Sequence, residues 1–174
     1  ENWLFTGLFA LLCWPALYAP LRGAFFHPFH AGPVDLYRDG FVERRVARFE
    51  ECLGLLDDER YKSVVRDNWH RKRGISSYFM HWELLNEEVL EAALSCIPAG
   101  HLELIFRHML DDMRGHRSGM PDLVQFDLEA GNYMLIEVKG PGDRLQDNQR
   151  RWFEFFLAKG IPASLCKLSW EQEA

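Results

Sequence analysis

Asp122, Glu137 and Lys139 are the residues whose types and spacing could do chemistry in this chain. The apolar runs Leu123–Leu128 and Tyr133–Val138 flank Glu129-Ala130-Gly131-Asn132, whose Gly-Asn pair is turn chemistry, so the stretch predicts an antiparallel hairpin. With the bend centred on Ala130 and Gly131, Asp122 falls opposite Lys139, and Glu137 sits one pleat away on the same face. Cross-strand Cβ atoms lie about 5 Å apart, so the three side chains share one patch. Two carboxylates beside an ammonium make a cation site, and oxygen-only ligands suit hard ions such as Mg2+ or Mn2+ rather than zinc. A solvated strand face could carry the same spacing. Against that, Leu123-Val124 and Leu135-Ile136 put the charges at the ends of apolar strands, where an unpartnered carboxylate is costly.

The rest of the chain has to hold that ribbon. Its 174 residues, 48% hydrophobic and 26% charged, amount to one globular domain and exclude a disordered chain. Cys13, Cys52, Cys96 and Cys166 show no C-x-x-C spacing and read as buried thiols in a reducing compartment. The chain starts with Glu1 rather than Met, as a piece of a longer protein would. Trp3–Ala19 is an apolar run of 17 residues, short of the roughly 20 that span a bilayer and interrupted by Thr6, Gly7 and Pro15. It reads as a core helix, with no membrane partner.

Residues 20–40 are punctuated by Pro20, Gly23, Pro28, Gly32, Pro33 and Gly40 and predict a structured loop. His27 and His30 lie in it without an acid or thiol at zinc spacing, as packing or surface residues. Val42, Val46, Phe49, Leu53 and Leu56 form one helical stripe, Asp58–His70 a second helix, and Asn86 the cap of a third. Leu102, Ile105, Phe106, Met109 and Met113 stripe the next. After the hairpin comes a helix with Leu145, Trp152, Phe155 and Phe156 on its apolar face, stopped at Lys159-Gly160. Gln149 lies one turn in, on the side that looks back toward the hairpin. A strand, Pro162–Leu168, closes the chain. Helices, hairpin, helix and strand predict an α/β (α+β) domain with a small mixed β-sheet flanked by helices, and no convincing strand precedes Met120.

A net charge of −6 argues mildly against nucleic acid, but the distribution matters more than the total. Arg60, Lys62, Arg66, Arg71, Lys72 and Arg73 face one acid, Asp67, and further clusters are Arg107, Arg114, Arg117 and Arg144, Arg150, Arg151. A helix dipole alone favours Arg71 and Lys72 at a helix end, and phosphate contact is the other reading.

Pro121-Asp122 followed by Glu137-Val138-Lys139 resembles the active site of the PD-(D/E)XK nucleases. The fuller string Gly119-Met120-Pro121-Asp122-Leu123-Val124, Glu137 to Leu145 and Asn148-Gln149 is similar to the virus-type replication-repair nuclease (VRR-NUC) subgroup, in particular the C-terminal nuclease domain of the Fanconi-associated nucleases. Leu4-Phe5, Leu8-Phe9, Pro33-Val34-Asp35-Leu36 and Cys166 extend the likeness over nearly the whole chain. The resemblance implies a restriction-endonuclease-like core from about 1–20 and 118–170, with a helical insertion over about 41–114, in a single domain, 1–174. It implies a metal-dependent 5′-flap endonuclease, with 5′-to-3′ exonuclease action, in interstrand crosslink repair. Branched DNA and upstream DNA-binding domains are the partners it implies, in the nucleus of a eukaryote or the cytoplasm of a bacterium.

Carried onto this sequence, Asp122 and Glu137 hold one metal with the Val138 carbonyl, and Glu1 on the first helix completes a second position. Lys139 stabilises transition-state charge, Gln149 orients water or metal, and Arg144 clamps phosphate, with Arg117, Arg71 and Lys72 as further phosphate contacts. Glu83 matches the helix glutamate less well than Glu1 does. Two alternatives stay open: a catalytically degenerate DNA-binding or scaffolding module, and a paired-carboxylate glycosidase, in which Lys139 would have no task.

Overall fold

The apolar N-terminal run folds as two helices, α1 (Trp3–Leu12) and α2 (Trp14–Leu17), rather than one. Pro15 has no amide hydrogen to continue the α1 ladder and sits in the first turn of α2, where none is needed. Leu4, Phe5, Leu8, Phe9, Leu11 and Leu12 are all buried, so the run is a core helix, as its length predicts. No single helix among the described residues is long and apolar enough to cross a membrane. The computed structural model describes residues 2–169.

Four further helices follow, α3 (Val46–Leu53), α4 (Arg60–Lys72), α5 (Glu87–Cys96) and α6 (Ala99–Asp111), of which α4 and α6 pack on α1 while α5 packs against the later hairpin. Phe9 is the hub, its ring 6.0 Å from Phe49 and 5.5 Å from Phe106. Asn86 caps α5 by accepting a 2.9 Å hydrogen bond from the Val89 amide, as the sequence predicts. The stripe through α3 breaks at Val46, which is exposed. A 3-10 turn over Glu43–Arg45 precedes it, and three residues per turn shift the phase of the helical face.

β1 (Leu123–Asp127), β2 (Asn132–Lys139) and β3 (Ala163–Lys167) form one sheet in the order β1-β2-β3. β1 runs antiparallel to β2, and β3 runs parallel to it. The parallel pair needs a crossover, which α7 (Asp147–Lys159) supplies. Gly160 ends α7 in the left-handed region at φ 67°, the stop predicted for it. No strand precedes β1 among the described residues, and the mixed three-stranded sheet matches the expected α/β class. Cys13, Cys52 and Cys96 are buried, but Cys166 is exposed, because β3 is an edge strand.

The hairpin register corrects the sequence expectation. Asp127 pairs with Asn132 and Leu123 with Ile136, so Leu128–Gly131 form a four-residue loop. Asp127 Oδ1 accepts from the Ala130 amide at 2.9 Å, and Gly131 takes φ 63° to close the bend. Continued by one residue, the ladder sets Asp122 opposite Glu137 instead of Lys139. A slip of two residues keeps every side chain on its original face, so the shared patch survives.

Candidate active site

Glu137 is fully buried on β2, and its Oε1 is held twice. Lys139 Nζ lies 2.7 Å away, and Gln149 Nε2 donates to the same oxygen at 2.5 Å. Gln149 is the N3 residue of α7, and its Oε1 accepts from the Gln146 amide and from Lys139 Nζ, both at 3.0 Å. These contacts leave the amide one orientation: its oxygen meets two donors and its nitrogen meets a carboxylate. The hydrogen bond to Glu137, supported by the charges of Glu137, Asp122 and Asp143, holds Lys139 above the ordinary lysine range, hence protonated.

Asp122 closes the other side. Its Oδ2 accepts from the Val138 amide at 3.0 Å, which ties β1 to β2 beyond the last ladder pair. Glu137 Oε2, by contrast, is buried and has no hydrogen-bond partner in the protein. A buried carboxylate oxygen left in that state costs free energy that a cation or a donor would recover. A carboxylate oxygen without a donor, on the face that Asp122 shares, fits a hard divalent ion. Among the described residues no third acid, His or Cys joins the pair as a metal-ligand group. Glu1 lies outside the described residues.

Neighbouring contacts fix the hairpin against the helices. Asn2, at the start of α1, accepts from the Met120 amide at 3.0 Å and donates to the Arg117 carbonyl, a junction that no motif in the sequence signals. Trp152 Nε1 donates to Ser118 O at 3.1 Å. Gly119, at φ 94°, passes so close to α7 that a Cβ there would lie 2.7 Å from the Asn148 carbonyl carbon. Only glycine meets both demands.

The predicted phosphate contacts are divided. Arg144 lines the same cleft as Lys139. Arg117 flanks the hairpin, with its guanidinium 5.3 Å from the Tyr37 ring. Arg71 and Lys72 end α4 near α2, where Lys72 Nζ lies 5.6 Å from the Trp14 ring. Ten residues of α1 separate that end from Asn2, roughly 15 Å at 1.5 Å per residue. The structure does not bring Arg71 and Lys72 to the hairpin. It does bring Lys167 there, paired in register with Lys139, a neighbour that only the parallel β2–β3 register reveals.

The family model for the VRR-NUC domain matches residues 56–170, which hold the sheet, its crossover helix and the Glu137–Lys139–Gln149 cluster. The chain belongs to the VRR-NUC family. A Fanconi-associated nuclease 1 homolog of Pseudomonas aeruginosa is 50% identical over 170 residues, or 98% of this chain and 30% of that protein. Human Fanconi-associated nuclease 1 is 29% identical over 171 residues, covering 95% of this chain and 17% of its own length. A crystal structure of paFAN1 bound to 5′-flap DNA with a 2-nucleotide flap and a gap matches with a TM-score of 0.97 at 49% identity, over 100% of this chain and 32% of that one. The chain spans under a third of the length of these relatives.

Proposed function

We propose that this chain is the hydrolytic part of a metal-dependent, structure-specific DNA nuclease that cuts 5′ flaps, with 5′-to-3′ trimming, in interstrand crosslink repair. Its setting is intracellular, in the nucleus of a eukaryote or the cytoplasm of a bacterium. The observation that carries the reading is the unpartnered Oε2 of buried Glu137, set beside a protonated lysine on the face that Asp122 shares. Family membership and the flap-DNA complexes of paFAN1 support it.

Hydrolysis of a phosphodiester needs an activated water and relief of charge on the phosphorane and leaving oxygens. A bound Mg2+ or Mn2+ supplies both by acidifying water and clamping oxygens. Asp122, Glu137 and the Val138 carbonyl are the groups that would hold it, with Glu1 at a second position. Lys139 places a fixed positive charge where the non-bridging oxygens become more negative, which stabilises the transition state more than the ground state. Gln149 keeps the Glu137 and Lys139 side chains in one geometry and, with its remaining amide hydrogen, orients water. Arg144 and Arg117 would grip flanking phosphates, while Arg71 and Lys72 could meet only a more distant part of the DNA.

Cleavage of 5′-flap and 3′-flap duplexes, with Mn2+ or with EDTA, tests the reading. The expected result is preference for the 5′ flap and loss of at least about 100-fold on chelation or in Asp122→Asn. A folded Asp122→Asn protein that cleaves as the wild type does overturns the assignment. Calorimetric titration with Mn2+ tests the non-catalytic scaffold reading, since a degenerate module would bind no metal through its carboxylates.

A further inference from the structure

Beyond Lys139, on the β3 side of the site, a cleft of about 290 Å3 is lined by Lys139, Arg144, Arg150 and Lys167 over a floor of Leu145 and Leu165, with Asp143 the single acid among the described residues. Three elements meet there. β3 brings Lys167 beside Lys139 by parallel register, the first turns of α7 bring Arg150, and the loop after β2 brings Arg144. Asp143 is already engaged, accepting from the Gly140 amide at 3.1 Å. Among the described residues, neither Arg144, Arg150 nor Lys167 takes part in an ion pair. What sets these cations apart is their convergence from three elements on one cleft beside Lys139. A net-acidic chain that gathers four cations against one acid beside the Glu137–Lys139 cluster, three of them without an ion pair among the described residues, offers them to an anion.

We infer that this cleft is a phosphate subsite for the nucleic-acid strand being cut, with Arg150 and Lys167 as positioning residues joined to Arg144. The inference rests on the nuclease reading. Neighbouring strands lie about 4.8 Å apart and residues advance about 3.3 Å along them, so Lys167, two strands across and two residues along from Asp122, stands roughly 12 Å from it. Phosphates along a strand advance about 3.4 Å per nucleotide in duplex geometry, which puts the subsite within about four nucleotides of the bond broken. Guanidinium forks grip phosphate bidentately while the lysine adds a point charge, and the leucine floor admits the sugar edge without competing for the charge. The cleft fixes the position of the strand, so its loss falls on binding and register rather than on the chemical step.

Arg150→Gln combined with Lys167→Gln is the test, read on a fluorescein-labelled 5′-flap duplex. In EDTA, the salt dependence of binding should weaken by about one to two in log–log slope, since each lost phosphate contact removes about 0.7 to 0.9. In Mn2+, KM should rise about tenfold, and the conservative pair Arg150→Lys with Lys167→Arg should restore it. Substrates carrying one neutral methylphosphonate at successive positions should reveal one site near the cut whose neutralisation weakens the wild type but not the double variant. Unchanged slope, unchanged KM and an identical methylphosphonate profile in the variant overturn the subsite while leaving the nuclease reading intact. A wild type that cleaves no flap in Mn2+ sinks the nuclease reading instead, and the EDTA binding slopes then still decide whether the cleft grips phosphate.

Discussion

Two acids are taken out of water among the described residues: Asp35, 6% exposed, and Glu137, 0% exposed. Asp35 is closed on every side. Arg45, itself 1% exposed, donates to both of its oxygens at 3.0 and 2.9 Å, and Arg44 adds a third bond at 2.6 Å. The Arg45 guanidinium is covered by the Phe41 ring at 4.1 Å. Glu137 has its bonds gathered on Oε1, while Oε2 faces no donor. The same carboxylate chemistry yields a staple in one place and, in the proposed nuclease, a reactive centre in the other. What differs is whether the fold completes the coordination of the carboxylate or leaves part of it open.

The contrast can be broken most sharply at Lys139. Lys139→Ala should lower cleavage by about 100- to 1000-fold in a Mn2+ flap assay while the protein still binds the metal, because it removes charge met in the transition state. A folded variant with wild-type rates would place Glu137 in the same structural class as Asp35.

Next in size is Asp35→Ala, which leaves Arg45 buried without its counter-charge and should cost about 3–5 kcal/mol in denaturant unfolding. Removing one partner of a buried ion pair is what carries that penalty. A loss below about 1 kcal/mol would mean that Arg45 finds water or another acceptor.

Metal separates the two acids further. At a hundredfold excess over its Kd, Mn2+ should stabilise the wild type by about 2.7 kcal/mol in thermal unfolding, and Asp122→Asn should abolish the gain. Asp35→Ala should retain it in full. Without metal, Glu137→Gln should leave stability within about 1 kcal/mol of wild type or raise it, since it trades a half-satisfied charge for a neutral amide.

Acid titration gives the smallest effect and the sign differs between the sites. Burial raises the Asp35 pKa, but the bonds and charges of Arg45 and Arg44 outweigh it, so the folded value lies below the usual carboxylate range. The unfolded chain then binds the proton first as pH falls. The Asp35 contribution is whole above about pH 4 and is lost below it, as the folded pKa is crossed. Asp35→Asn should flatten that acid limb. Lys139, raised in the folded state by Glu137, contributes below about pH 10.4 and loses its part above it. Lys139→Met should therefore flatten the alkaline limb alone.

Much of this was legible in residue order. Alternation along Leu123–Leu128 and Tyr133–Val138 determined which side chains share a face, because parity along a strand is set by the pleat and by which face is buried. Asn86 and Gly160 marked helix ends through local hydrogen bonding and backbone freedom alone. Register was a different matter. The Asp127 side chain recruits the Ala130 amide and lengthens the loop, so Asp122 meets Glu137, a choice of turn that the Gly-Asn pair did not disclose. Only the tertiary structure decided that Gln149 locks Glu137 and Lys139, that Arg71 and Lys72 stand at the far end of α1, and that Lys167 joins the site across a parallel pair. Those facts depend on contacts between segments remote in the chain, which are fixed by how the helices and sheet bury their apolar faces together and which no local pattern encodes.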